Sequence, residues 1–219
     1  MKPVLAILAH QSAQPTIDDF APRWKQLDAD LVCYVPLGET ITGIDDVRHI
    51  GCSAHAGNIV FTRFLQTLTN LLGSPNEWFI VAEYDTVNLR PKLPAMHFGA
   101  ITSHLVMARP HNLAPGEMQL CSLSPWVMDR RTMLDFIEAG NDLLKTDPNC
   151  ESVSGLLDRW IGLVIQHGDI TAMGGPDMMG YPWHPGAHDR IRWMGFNWIH
   201  GFKRASDFGE LWKETELTT

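Results

Sequence analysis

The chain has 219 residues, a hydrophobic fraction of 45%, a charged fraction of 19% and a formal charge of −8 at pH 7. This is an ordinary globular composition, long enough to bury a sizeable core as one domain, which excludes a disordered or fibrous chain. The acidic balance disfavours a protein that coats nucleic acid nonspecifically, because binding to phosphate draws on Lys and Arg.

In chain order, residues 3–9 form a continuous apolar run, as expected of a strand covered on both faces. Pro3 and the early His10 make it a poor signal peptide. The run stops at the polar loop H-Q-S-A-Q-P. Phe20 to Leu27 predicts a short helix, and Asp30 to Val35 predicts a second strand closed by Pro36, so the start reads as a βαβ unit. Turn formers fill the stretch from Gly38 to Gly57. Asn58 to Leu72 carries apolar residues at three- and four-residue spacing, the strongest amphipathic helix in the chain, and stops at G-S-P. W-F-I-V-A is a third buried strand, running directly into Glu83-Tyr84-Asp85. Gly99 to Ala108 predicts another strand. Ser124 to Met128 leads into a helix with Asp129 as its N-cap and Gly140 just past its end. A further helix is expected from about Ser154 to His167, and the remainder is rich in Gly, Pro, Trp and His.

Strands and helices alternating on this scale predict an α/β fold, a Rossmann-type α/β/α sandwich with a mostly parallel central sheet. Ligands of such sheets lie outside the carboxyl ends of the strands, which is where Glu83 and Asp85 fall. Four widely spaced cysteines, Cys33, Cys52, Cys121 and Cys150, offer no C-x-x-C spacing and fit a reducing compartment. No apolar stretch approaches the roughly 18 residues that a spanning helix needs, so a soluble, cytoplasmic protein without membrane contact is expected.

Two carboxylates at i and i+2 leaving a strand can point the same way. Hard divalent cations take oxygen ligands and keep positions for water and substrate phosphates. A strand ending in E-Y-D-T-V, then the strand G-A-I-T-S-H-L-V-M-A, then S-P-W-V-M-D-R-R, resembles a glycosyltransferase of the GT-A fold, whose acidic signature is D-x-D. Glu83 stands in the place of the first Asp. The resemblance implies that Asp85 ligates Mn2+ or Mg2+ holding the diphosphate of a nucleotide sugar, with UDP the expected nucleotide. Glu83 would support the metal through water or contact the ribose. The segment W-I-H-G-F-K is similar to the family's carboxy-terminal histidine element, which implies that His200 completes the metal site and that Lys203 meets the diphosphate. Asp158, in L-L-D-R-W-I-G-L, takes the place of the general base, although Leu157 stands where the family has Glu; Glu151 is the second candidate. By the same likeness His10 and its loop, with Pro36, would line the base and ribose. The single domain would divide into a nucleotide-sugar half at about 1–95 and an acceptor half at about 96–219.

Other readings compete. His184 and His188 suggest a zinc hydrolase, but the intervening P-G breaks a helix that would align them, and H-E-x-x-H is absent. Trp183 and Trp193 could stack on a sugar or base. A non-catalytic sugar- or nucleotide-binding module is the second alternative. There is no G-x-G-x-x-G after the first strand and no G-x-S-x-G elbow. The acceptor could be a glycan, a protein, a small molecule or a hydroxymethylated DNA base, as for some compact phage transferases. For DNA, Arg130 with Arg131, Arg190 with Arg192, and Lys203 with Arg204 would have to form a basic groove.

Overall fold

A computed structural model describes residues 2–51, 59–108, 119–147, 157–180 and 186–216. The first apolar run is β1 (Val4–Leu8), followed by α1 (Gln14–Trp24) and β2 (Asp30–Pro36), which pairs parallel to β1 as the βαβ reading predicts. Next come β3 (Val47–Ile50), α2 (Ile59–Leu71), β4 (Trp78–Glu83), β5 (Thr86–Asn88), β6 (Ile101–Ala108), β7 (Gln119–Asp129) and α3 (Arg130–Thr146). The chain continues through α4 (Leu157–His167), β8 (Ala172–Gly174), β9 (Met178–Gly180), α5 (Ala187–Met194), β10 (Trp198–His200) and α6 (Glu210–Glu216).

The expected α/β architecture is present. A seven-stranded sheet runs β3-β2-β1-β4-β7-β6-β8, parallel throughout except for β7, which is antiparallel to both neighbours. Alternate residues of β1 serve opposite layers, as a strand covered on both faces requires. Leu5 and Ile7 pack with Ile17, Phe20 and Trp24 of α1 and with Trp198 of β10. Val4 and Ala6 pack with Phe64 and Leu68 of α2, Phe136 of α3 and Trp160 of α4.

Four sequence expectations need correction. First, α1 begins at Gln14, not Phe20: Pro15 opens its first turn, and Thr16, Ile17, Phe20, Ala21 and Trp24 form the buried stripe. Second, the turn-rich stretch before Gly57 contains β3, among the described residues an edge strand paired with β2 and half exposed, which explains its weak apolar signal. Third, α3 does not stop before Gly140 but runs through it. A Cβ at Gly140 would lie 2.9 Å from Leu65 and 3.2 Å from Trp160, so this glycine permits a close helix crossing instead of ending the helix. Fourth, a second sheet ordered β5-β10-β9 was not anticipated from strands only three residues long. The expected helix starts at Asn58 and Ser154, and Cys52, Cys150, Glu151, Trp183 and His184, lie outside the described residues.

Cys33 and Cys121 are buried free thiols, pushed up by desolvation to about 12 and about 11, so neither is a poised nucleophile. Among the described residues no helix is long and apolar enough to cross a membrane.

Helix α4 lies flat on β7, and Gly162 sets the distance: a Cβ there would meet the Leu120 carbonyl oxygen at 1.9 Å. Gly162→Ala is therefore expected to lower stability by about 3 kcal/mol, read as a lower urea midpoint. A second test concerns Asp129, the predicted N-cap. Its carboxylate accepts hydrogen bonds from Thr132 N, Thr132 Oγ1 and Gly99 N at 2.9, 2.9 and 2.6 Å. Burial alone would raise this carboxyl, but the Thr132 and Gly99 N–H groups outweigh it and hold it below the ordinary 3.8. Asp129→Ala should cost about 1–2 kcal/mol at neutral pH. Because the folded-state value is depressed, the stability it confers is present above the ordinary value and is lost as pH falls through the lower folded one. The gap between wild type and variant should accordingly narrow below about pH 4 in unfolding titrations.

Candidate metal centre

Strand β4 delivers Glu83 at its carboxyl end, and the chain turns at Tyr84 and Asp85 straight into β5. Antiparallel pairing of β10 with β5 sets His200 opposite Thr86, and the ladder is extended by Gly201 N–H donating to the Asp85 carbonyl at 2.9 Å. That register carries His200 back over the acidic turn across more than a hundred residues of sequence. Glu83, Asp85 and His200 each bring a ligand atom to within 4.8 Å of the others, the group that could hold a metal ion among the described residues. His200 Nε2 lies 3.6 Å from Glu83 Oε2, and Nδ1 lies 3.4 Å from Asp85 Oδ1.

A buried hydroxyl relay orients the imidazole. Ser124 Oγ accepts the Glu83 N–H at 2.9 Å and lies 2.7 Å from Thr86 Oγ1, which is 3.0 Å from His200 Nδ1. Thr86 and Ser124 are essentially sealed from solvent. Nδ1 is thus shared between the Thr86 hydroxyl and Asp85 while Nε2 faces Glu83, and the outer hydroxyl helps orient the ring. Two carboxylates and an imidazole make a donor set suited to a divalent ion that also binds substrate oxygens.

The remaining candidates surround this centre. Lys203 Nζ sits 2.5 Å from Asp85 Oδ2, 2.9 Å from the Tyr84 hydroxyl and 4.6 Å from the Tyr84 ring centre. His10, past the end of β1, stacks edge-on against Tyr84 with centroids 4.8 Å apart and places Nδ1 2.6 Å from Ser12 Oγ. Burial lowers its proton affinity, which favours the neutral ring. His10, Arg63, Glu83, Tyr84 and Leu157 line a cavity of about 240 Å³ closed by Leu8, Ala9 and Phe64. Arg63 is held there by donating to the Ala9 carbonyl at 2.7 Å.

Asp158 occupies the first turn of α4 and is buried, which rules out a solvated helix face. It lies near enough to Glu83 to act on its ionisation. Desolvation pushes the Glu83 carboxyl up to about 7; His200 and Lys203 oppose the shift, and Asp85 and Asp158 add to it. His104 of β6 is a neighbour that the sequence did not single out. Its Nδ1 accepts the Gly180 N–H, and burial, helped by His200 and Arg190, holds its proton affinity down. Tyr84, Thr86 and Ser124 were also missed; their proximity to E-Y-D and to S-P-W was the available signal.

Other expectations are not gathered here. His188 Nε2 lies 2.9 Å from the Asp207 carbonyl and its ring packs on Phe202, so its place is a structural one. Trp193 is 89% exposed. The basic pairs are held by different partners, and Arg190 lies near enough to His104 to act on its ionisation. Arg130 donates to the carbonyls of Leu72, Ser74 and Asn76, toward the strand end opposite the Glu83–Asp85–His200 cluster. Arg131 pairs with Asp135, Arg192 with Glu214, and Arg204 with Asp19. Lys203 is the member of these pairs that reaches Asp85. Comparison with protein-family models and with curated protein sequences gave no match.

The relay predicts that Thr86→Val, which keeps the side-chain shape but removes the hydroxyl, weakens Mn2+ binding by about tenfold or more. Thr86→Ser should largely restore it. Titration followed by the electron paramagnetic resonance of free Mn2+ reads both, and equal affinity in wild type and Thr86→Val contradicts the orienting role.

Proposed function

We propose that this chain is a metal-dependent glycosyltransferase with a GT-A-type fold, moving a sugar from a nucleoside diphosphate donor, a UDP-sugar, to a hydroxyl acceptor. The observation that carries the reading is the convergence of Glu83, Asp85 and His200 within 4.8 Å, with the Lys203 ammonium on the same carboxylate. It stands at the carboxyl end of β4, beside the His10 cavity, where α/β sheets place their ligands. One antiparallel strand in a parallel sheet, with a second small sheet supplying the histidine, supports the finer fold assignment.

Asp85 and His200 would hold the ion, with Glu83 as third ligand or as a support through water; the imidazole favours Mn2+ over Mg2+, which prefers an all-oxygen shell. When bound, such an ion neutralises charge on the departing diphosphate. The chain's own residues supply the rest. Tyr84 and His10 present ring surface for a base or ribose at the cavity wall. Lys203 offers a mobile point charge to phosphate oxygens. Asp158, its carboxylate buried beside Glu83, accepts the proton of the acceptor hydroxyl. The acceptor class stays open among glycan, protein, small molecule and DNA base.

A second reading, a nucleotide-sugar-binding module without turnover, draws on Leu157, an apolar residue on the cavity wall where the family resemblance expects a carboxylate. Calorimetric titration separates the cases. UDP or GDP should bind wild type in the presence of Mn2+, with binding lost on chelation and in Asp85→Asn, whose melting temperature should stay near wild type. Binding of neither nucleotide overturns the proposal. Metal-dependent binding combined with no turnover of any UDP-sugar, even by slow hydrolysis, points to the module.

A further inference from the structure

Lys203 and the metal cannot both hold Asp85 as it now stands. The ammonium makes a charge-assisted bond of 2.5 Å to Oδ2 and a second bond of 2.9 Å to the Tyr84 hydroxyl, with the Tyr84 ring beneath it. The Asp85 side chain is 8% exposed, so this carboxylate has its positive partner inside a poorly solvated pocket. The Lys203 side chain is 54% exposed, so the ammonium has an open way out.

The backbone around it is fixed. Lys203 N–H donates to Asp207 Oδ2 at 2.9 Å, Gly201 N–H donates to the Asp85 carbonyl at 2.9 Å, and Phe202 packs on Phe208 with centroids 4.5 Å apart. Motion at this point is therefore rotation of one lysine side chain, not opening of a loop.

We infer that Lys203 is a resident competitor for the metal, and that cation and diphosphate are consequently taken up as one coupled ligand. The inference rests on the reading of this cluster as a metal and diphosphate site. A divalent ion approaching Asp85 must displace the ammonium, because two cations a few ångströms apart on one carboxylate repel strongly where water is scarce. A diphosphate gives the displaced ammonium a new anionic partner, so its arrival lowers the cost of loading the metal. By linkage the metal must then raise diphosphate affinity by the same factor. Lys203 is thus a positioning residue whose alternation between Asp85 and phosphate makes either ligand alone a weak binder.

The test uses the full chain with Mn2+ and inorganic pyrophosphate as the probes. Lys203→Met should bind Mn2+ alone about fivefold tighter than wild type, an increase in metal affinity on removing a residue of the site. Lys203→Arg, which keeps the charge, should stay close to wild type. Pyrophosphate should tighten Mn2+ binding in wild type and do so much less in Lys203→Met. Melting temperatures verify that the variants are folded, which the half-exposed side chain favours. Mn2+ binding to Lys203→Met no tighter than to wild type overturns the inference, as does absence of Mn2+ binding in both. If neither UDP nor GDP binds, yet both lysine effects appear with pyrophosphate, the inference stands and the glycosyltransferase reading falls.

Discussion

Buried carboxylates gathered this closely demand positive charge, and the rest of the site answers to that demand. Asp85 and Asp158 are buried and Glu83 is partly buried beside them, and isolated anions in so poorly solvated a space would cost several kcal/mol each. His200 and Lys203 supply the offset within the chain. Glu83 supplies another part by holding its proton up to about 7, so that one negative charge is partly withdrawn. Glu83, Asp85 and His200 together form a group that could hold a metal ion.

The scaffold makes this convergence affordable by fixing the backbone first. Parallel strands β1 and β4 bring His10 and Glu83 to the same edge of the main sheet, since Leu8 and Glu83 are directly paired in register. The small sheet then returns β10 antiparallel to β5, and its register decides that the residue facing the acidic turn is His200 and not a neighbour. Trp24 of α1 donates to the Thr86 carbonyl at 3.0 Å, bracing the strand that follows the acidic turn. On the opposite face, close packing of Gly162 on β7 places the first turn of α4, and with it Asp158, at the same edge. The convergence of these side chains therefore depends on two sheets and a helix whose positions are set by packing, with the polar relay through Ser124 and Thr86 adding the final orientation.

Much of the fold was legible because its signals are local. Continuous apolar runs marked β1, β2 and β4, periodicity marked α2, and the Asp129 cap marked the start of α3. Elements that failed to announce themselves are short or exposed: β3 on the sheet edge, and three-residue strands in the small sheet, where period-two alternation has no room to show. Gly140 misled for a related reason, since a glycine chosen for helix packing looks the same in sequence as one chosen to end a helix. Thr86 and Ser124 were silent because small hydroxyl residues are common everywhere and acquire meaning through their partners.

By itself the sequence determined that a buried strand ends in two carboxylates one residue apart, that the fold alternates strands and helices, and that a histidine and a lysine lie three apart near the far end of the chain. These are properties of residue order, carried by hydrophobic periodicity and by charge. Only the tertiary structure decided that His200 and Lys203 meet Asp85, that Asp158 is buried beside Glu83, and that most arginines of the basic pairs are engaged by backbone carbonyls or acidic side chains elsewhere. The physical reason is that such contacts depend on strand register and on which side chains share a desolvated space, and neither is written in any local stretch of the chain.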